Sequence, residues 1–309
     1  MGAALAATRS VHYAATLILE GATMFRFLVA EPAFGGAVHN ALLTQRTILN
    51  RTMALAWVAA VLSGAAWVFI LSVEIAGASP LNALREGIDW SLLTQTQFGE
   101  VWQLRTVGFL LLLMLPFAGR EAAAFRWQGL AIVLVLALAG SLAWSGHGAA
   151  TPGALGDLHL FADILHLIAA GLWLGGLPPF AVLLWLVRRE PDITTAAVAT
   201  RRFSSIALIS VLVLLATGIV NTLVLVGSAA ALLGTVYGQL LLAKIGLFLL
   251  MLVFAAVNRF LLTPQIGRSS TPGQRAAGRI AIHSMFEFAL GMAILAIVAV
   301  LGTFPPPGH

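Results

Sequence analysis

Eight apolar runs divide this chain, and each is long enough to cross the roughly 30 Å hydrocarbon core of a bilayer. They cover residues 10–29, 51–76, 100–118, 127–145, 158–187, 203–227, 236–262 and 279–302. Segments of that length need either a very large protein core or lipid around them. Only 9% of the 309 residues are charged and 60% are hydrophobic, too little polar surface to clothe eight such helices in water. The expected fold class is therefore all-α, a polytopic membrane protein with eight transmembrane helices. Each helix then satisfies its own backbone polar groups. The first run contains Glu20 and no small-x-small cleavage site follows it, so it is expected to stay as a span rather than act as a signal peptide.

Arginine orients the spans. Arg46 and Arg51 follow the first run, and Arg120 and Arg126 the third. Arg188, Arg189, Arg201 and Arg202 follow the fifth, and Arg259, Arg268, Arg275 and Arg279 the seventh. The alternate loops hold Arg85 in one case and no Lys or Arg over 146–157 or 228–238. Four loops thus agree on which side is cytoplasmic, and both termini are expected on the outer face. The net charge of +5 is a topology signal, not a nucleic-acid signal. The chain has no cysteine, which excludes disulfides, thiolate metal sites and cysteine catalysis. No nucleotide-binding loop, HExxH or nucleophilic motif appears either, so no enzymatic or ATP-driven activity is expected.

The sequence also repeats. Residues 96–120 align without gaps on 235–259, pairing Arg105 with Lys244, Phe109 with Phe248 and Arg120 with Arg259. Gly64 matches Gly218, each preceded by a hydroxyl residue, Ser63 and Thr217, and at that same offset His12 falls on His166. Two four-helix halves are expected, 1–145 and 146–309. Four spans per half make them parallel repeats about an axis along the membrane normal.

Polar residues inside the spans are the candidates for function. His159, Asp163 and His166 are spaced i, i+4, i+7 on one helical face, over about 10.5 Å of helix. A carboxylate in a span needs a cavity, a partner or an ion. Imidazole plus carboxylate suits a borderline transition metal. Two readings fit this face: metal ligands at the mouth of a membrane helix, or an Asp–His pair bonded inside the bundle with His159 wet at the interface. His147, in Ser-Gly-His-Gly-Ala, either shares that site or is simply solvated. Asp157 reads as the N-cap of the fifth span. His12 lies near the outer end of span one, with Glu20 near mid-membrane. In span eight His283 and Glu287 share a face at i, i+4. Glu20 and Glu287 are either stations for a cation or protonated carboxyls bonded to a neighbouring helix. Met285 and Met292 read as packing, and Asn221 and Asn258 as amides bridging helices. Lys244 could snorkel outward or pair with Asp163.

Together SGHGA (145–149), DILHLIAAGLWLGGL (163–177), RFSSIAL (202–208), TGIVN (217–221), TVYGQLLLAKIGLFLLML (235–252), NR (258–259) and the closing LGTFPPP resemble the CopD family of bacterial copper-resistance and copper-import proteins. The likeness is close over spans five to eight and looser over spans one to four. It implies a bacterial inner-membrane protein moving copper toward the cytoplasm, with a periplasmic CopC-type copper-binding protein as a separate partner. By motif it implies Asp163 and His166 as core positions, supported by His147, His159, His12 and Glu287. Glu20 and His283 are added from burial alone. Two alternatives remain at this stage. One is a haem-binding electron-transfer protein that reduces the metal through histidines on different helices. The other is an assembly factor that holds copper without flux.

Overall fold

The computed structural model describes residues 2–35, 40–77, 80–85, 87–115, 124–146, 153–188, 190, 193–266 and 270–307. His147, Arg120, Glu121, Arg189 and Arg268 lie outside the described residues, and so does the side chain of Arg126. Among the described residues every element is helical. The order is α1 (Gly2–Ala33), α2 (Asn40–Ala76), α3 (Pro80–Arg85), α4 (Ile88–Gln95), α5 (Gln97–Met114), α6 (Ala124–Gly140), α7 (Gly153–Val187), α8 (Thr194–Val226), α9 (Ala229–Gly234), α10 (Val236–Ile266) and α11 (Ser270–Leu301). Seven described helices are long and apolar enough to cross a membrane: α1, α2, α6 with its 3₁₀ extension to Ser145, α7, α8, α10 and α11. The third predicted span corresponds to α5. Its described part is 18 residues long and carries Glu100 and Arg105, and it is not one of the seven.

Burial separates the helices into two classes. In their most apolar windows α1 is 78% and α7 67% buried, against 11–33% for the other five. The two central helices touch each other, and α1 also packs on α2, α6 and α11. The outer helices turn Leu, Ile, Val and Phe outward, for example Leu55, Leu104, Ile219, Leu223 and Val253, as a lipid-facing surface requires. The central crossing is made by backbone on backbone. A Cβ on Gly21 would lie 2.2 Å from the carbonyl carbon of Gly175, and one on Gly171 would lie 1.7 Å from Glu20 Oε2. Only glycine permits that approach.

Three helices contain a π-helical turn: Arg26–Ala30 in α1, Gly171–Gly175 in α7 and Val257–Leu262 in α10. Each stands just upstream of a proline, Pro32, Pro178 and Pro264. Proline lacks the N–H that would close the preceding turn, so the local hydrogen-bond ladder is rearranged there. Around Pro32, a carbonyl in the π turn, Leu28 O, accepts from Arg202 at 3.2 Å.

The ends of the bundle are tied separately. At one end Arg9 donates to Gly302 O at 2.9 Å and to Ser145 O at 3.3 Å, gathering the start of α1, the end of α6 and the end of α11. At the other, Arg46 grips Glu31 with two hydrogen bonds, Arg259 holds Ser204, and Gln274 reaches Glu190 O. Asp157 does not cap α7. The helix begins at Gly153, one turn earlier, on a left-handed glycine (φ 71°) that an L side chain would resist.

Candidate metal site

The polar face of α7 meets α8 and α10 near the Arg9 end of the bundle. Asn221, on α8, donates to Asp163 Oδ1 at 2.5 Å. His159, fully buried, places Nε2 3.8 Å from Asp163 Oδ2. His166 Nδ1 sits 2.9 Å from Thr217 Oγ1. The Thr217 hydroxyl donates its own proton to Val213 O at 2.7 Å, so His166 Nδ1 carries the hydrogen and Nε2 keeps its lone pair. Asn221 Oδ1 is buried with no donor among the described residues. Lys244, from α10, acts electrostatically on both Asp163 and His166. The arrangement is rich in acceptors and carries one nearby cation. Gly146 also approaches: a Cβ built there would lie 3.9 Å from Asp163 Oδ2. Gly146, the last described residue before His147 in the sequence, thus stands beside the carboxylate.

A second polar pocket surrounds His12 on α1, and it is filled. Arg105 places one guanidinium nitrogen 2.6 Å from His12 Nε2 and donates to Leu138 O at 2.8 Å and Ser141 Oγ at 2.5 Å. Arginine only donates, so His12 Nε2 accepts and Nδ1 donates, to Ala60 O at 2.9 Å with Ser63 Oγ at 3.2 Å. Both ring nitrogens are thus engaged. Trp67 and Trp102 close around the ring, with centroids at 5.7 and 5.0 Å. His12 could reach a metal, or act as an axial haem ligand, only if Arg105 moved away.

Two carboxyls lie deeper. Glu20 is wholly buried, and neither oxygen has a hydrogen-bond partner among the described residues. Such a group costs several kcal/mol unless it is protonated or offset by a cation. Glu287, 2% exposed, is held from both π turns that flank it. Asn258 donates to its Oε1 at 2.8 Å, and the Trp173 indole reaches the same carboxyl. His283 Nδ1 donates to Asn258 Oδ1 at 2.8 Å, completing a chain His283–Asn258–Glu287. Glu287, Asn258, Thr200 and Ser284 line a cavity of about 40 Å³, room for a few waters. His283, Arg279 and Gln265 line an open one of about 440 Å³ beside it.

The predicted residues that are described therefore fall into four groups, with His147 outside them. Asp163 and His159 come together, with His166 one turn along. His283 and Glu287 join through Asn258. His12 and Glu20 stand apart, each in its own surroundings. Among the described residues no three His, Asp or Glu side chains converge closely enough to hold one ion. Met292 packs on the core, as expected of a packing residue, whereas Met285 is 43% exposed and faces outward. Reading the chain missed three things: the guanidinium on His12, the tryptophans around it and the π turns that aim Trp173 and Asn258. Gly171-x₃-Gly175 and the prolines following each π turn were the available signals.

Comparison with known proteins adds to this. Residues 197–301 match the family described as "Copper resistance protein D", and residues 1–157 match "Copper resistance protein D-like, N-terminal domain". Copper resistance protein D of Pseudomonas syringae pv. tomato is 31% identical over 278 residues, 86% of each chain. Copper transport protein CutJ of Bacillus subtilis (strain 168) is 30% identical over 305 residues, 98% of this chain and 53% of that longer relative. Inner membrane protein YebZ of Escherichia coli (strain K12) is 29% identical over 302 residues, 97% of each. No solved structure matches.

Proposed function

Because this chain belongs to the copper resistance protein D family, we propose that it moves copper ions across the bacterial inner membrane, from the periplasm toward the cytoplasm. The observation that carries this reading is the acceptor-rich set at α7: Asp163 with His166 Nε2, His159 and Asn221 Oδ1. Carboxylate, imidazole and amide oxygen in a membrane helix call for a cation. His147, outside the described residues and next in sequence to Gly146, is proposed as a further ligand. Copper arrives there, handed over by a periplasmic CopC-type protein. It then passes the buried carboxyls Glu20 and Glu287, and leaves along Asn258 and His283 toward the open cavity beside Arg279. His12 joins only if Arg105 releases it.

The transport unit in this reading has eight spans in two parallel four-helix repeats, with both termini periplasmic. Matched local chemistry supports the repeat. Thr96 and Thr235 each cap a helix by accepting from Gly99 and Gly238, both at 3.0 Å. His12 meets Ser63 as His166 meets Thr217. The two most buried helices, α1 and α7, are the first spans of the two proposed halves.

The test pairs metal content with flux. Wild type, Asp163→Ala and His166→Ala are purified, their bound copper is measured, and copper accumulation is followed in cells. Bound copper and uptake in wild type, both lost in the two variants at equal expression, is the expected result. Unchanged uptake in both variants, or a haem Soret band in the purified protein, overturns the reading.

A further inference from the structure

Arg105 and Lys244 occupy equivalent positions in the gap-free alignment of 96–120 with 235–259. Arg105 touches His12 directly; Phe248, one turn from Lys244, packs edge-on against Trp173 at 6.0 Å, which seats the Lys244 stretch of α10 against α7. The two cations are held differently. Arg105 is 1% exposed, spends its donors on His12, Leu138 O and Ser141, and is flanked by Trp102 and Phe109 at 5.2 and 5.9 Å. A guanidinium bound at three points is a fixed plug. Lys244 is half-buried, makes no hydrogen bond among the described residues, and has no ion-pair contact within 4 Å. Its neighbours Leu242, Ala243, Ile245 and Gly246 are exposed, so a flexible four-carbon stem has room to swing along the helix toward the near end of the bundle. What it faces is short of donors. Asn221 Oδ1 is unpartnered, His166 Nε2 keeps its lone pair, and Asp163 takes one amide hydrogen. Lys244 is the cationic side chain acting on that carboxylate among the described residues.

We propose that Lys244 is the resident cation of the Asp163–His166 site, displaced when copper arrives, whereas Arg105 keeps the matching pocket at His12 permanently closed. This rests on the copper reading above for the identity of the incoming ion. The charge accounting favours exchange. An empty site holds one carboxylate and one ammonium, and a monovalent copper ion replacing the ammonium leaves the net charge unchanged in a low-dielectric setting.

Two measurements test it. First, the metal-free protein is melted as wild type, Lys244→Met, Asp163→Asn and the double variant. Each single variant is expected to melt roughly 5 °C lower, with the double variant close to wild type. Additive losses would overturn the pairing. Second, copper is titrated into the lysine variants. Lys244→Arg conserves charge but installs the plug found at His12, and should weaken binding by at least about tenfold. Lys244→Met should bind as tightly as wild type or more so. A merely structural charge would give the opposite order, with arginine tolerated and methionine not, and that order overturns the proposal. Equal binding by all three overturns displacement while leaving the copper site standing. No copper on wild type, with the melting coupling intact, removes copper and displacement together and leaves only the lysine–aspartate pair.

Discussion

At the residue scale, two polar groups separate framework from function. Arg105 satisfies His12 Nε2, Leu138 O and Ser141 Oγ from one buried position. Replacing it with Met strands those acceptors and should cost about 3 kcal/mol. The expected outcome is a clear drop in melting temperature in detergent, with copper still bound at Asp163 and His166. Asn221 is the reverse case. Its amide fixes Asp163 Oδ1 at 2.5 Å, and partners that orient a ligand typically carry roughly 10–100-fold of metal affinity. Asn221→Leu should therefore weaken copper binding by about tenfold or more in a competition titration, with a smaller drop in melting temperature than Arg105→Met, since one hydrogen bond is lost and not three. These contacts were only partly legible beforehand. The i, i+4, i+7 spacing put His159, Asp163 and His166 on one face, and Asn221 reads from sequence as a bridging amide. That Arg105 would bond His12 rather than snorkel depends on Ser141 and Leu138, which no local pattern links to either residue.

At the element scale, the fold depends on how closely α1 and α7 can approach. Gly21, Gly171 and Gly175 let the two backbones meet, and the Glu20 carboxyl fills the space where a Gly171 side chain would stand. Gly171→Ala should destabilise by about 1–3 kcal/mol through overpacking, seen as a lower melting temperature and reduced accumulation in the membrane. Gly129→Ala, where a Cβ meets nothing within 4 Å, is the control expected to leave both unchanged. Apolar runs located the helices well because lipid imposes length and hydrophobicity on each span separately. Helix ends were less legible: α1 reaches back to Gly2 and α7 to Gly153, because polar or small residues can extend a helix beyond the hydrocarbon. The π turns were not anticipated at all. Proline marks that the ladder must be rearranged, but the packed neighbour decides whether a kink or a π turn results.

At the scale of the whole molecule, the direction of transport rests on which end faces outward. Arg9, Ser145 and Gly302 gather at one end; Arg46, Arg259 and Glu190 belong to the other. In the proposed orientation the arginine-rich end is the cytoplasmic one, as the positive-inside rule expects; the Asp163 site would then lie near the periplasm and His283 near the cytoplasm. The chain offers a clean test because it has no cysteine. Thr303 and Glu190 are both exposed, one at each end. Thr303→Cys should react with a membrane-impermeant maleimide once the outer membrane is made permeable, while Glu190→Cys should react only after the inner membrane is opened. The reverse pattern would turn the molecule over. Asp163 and His166 would then collect copper from the cytoplasm, the Glu20 and Glu287 stations would serve export, and a periplasmic donor protein would have no site to dock against. Labelling of both cysteines in sealed cells would mean that an even number of spans separates them. Eight spans require the opposite: residues 190 and 303 are joined by spans six, seven and eight, which must leave them on different sides.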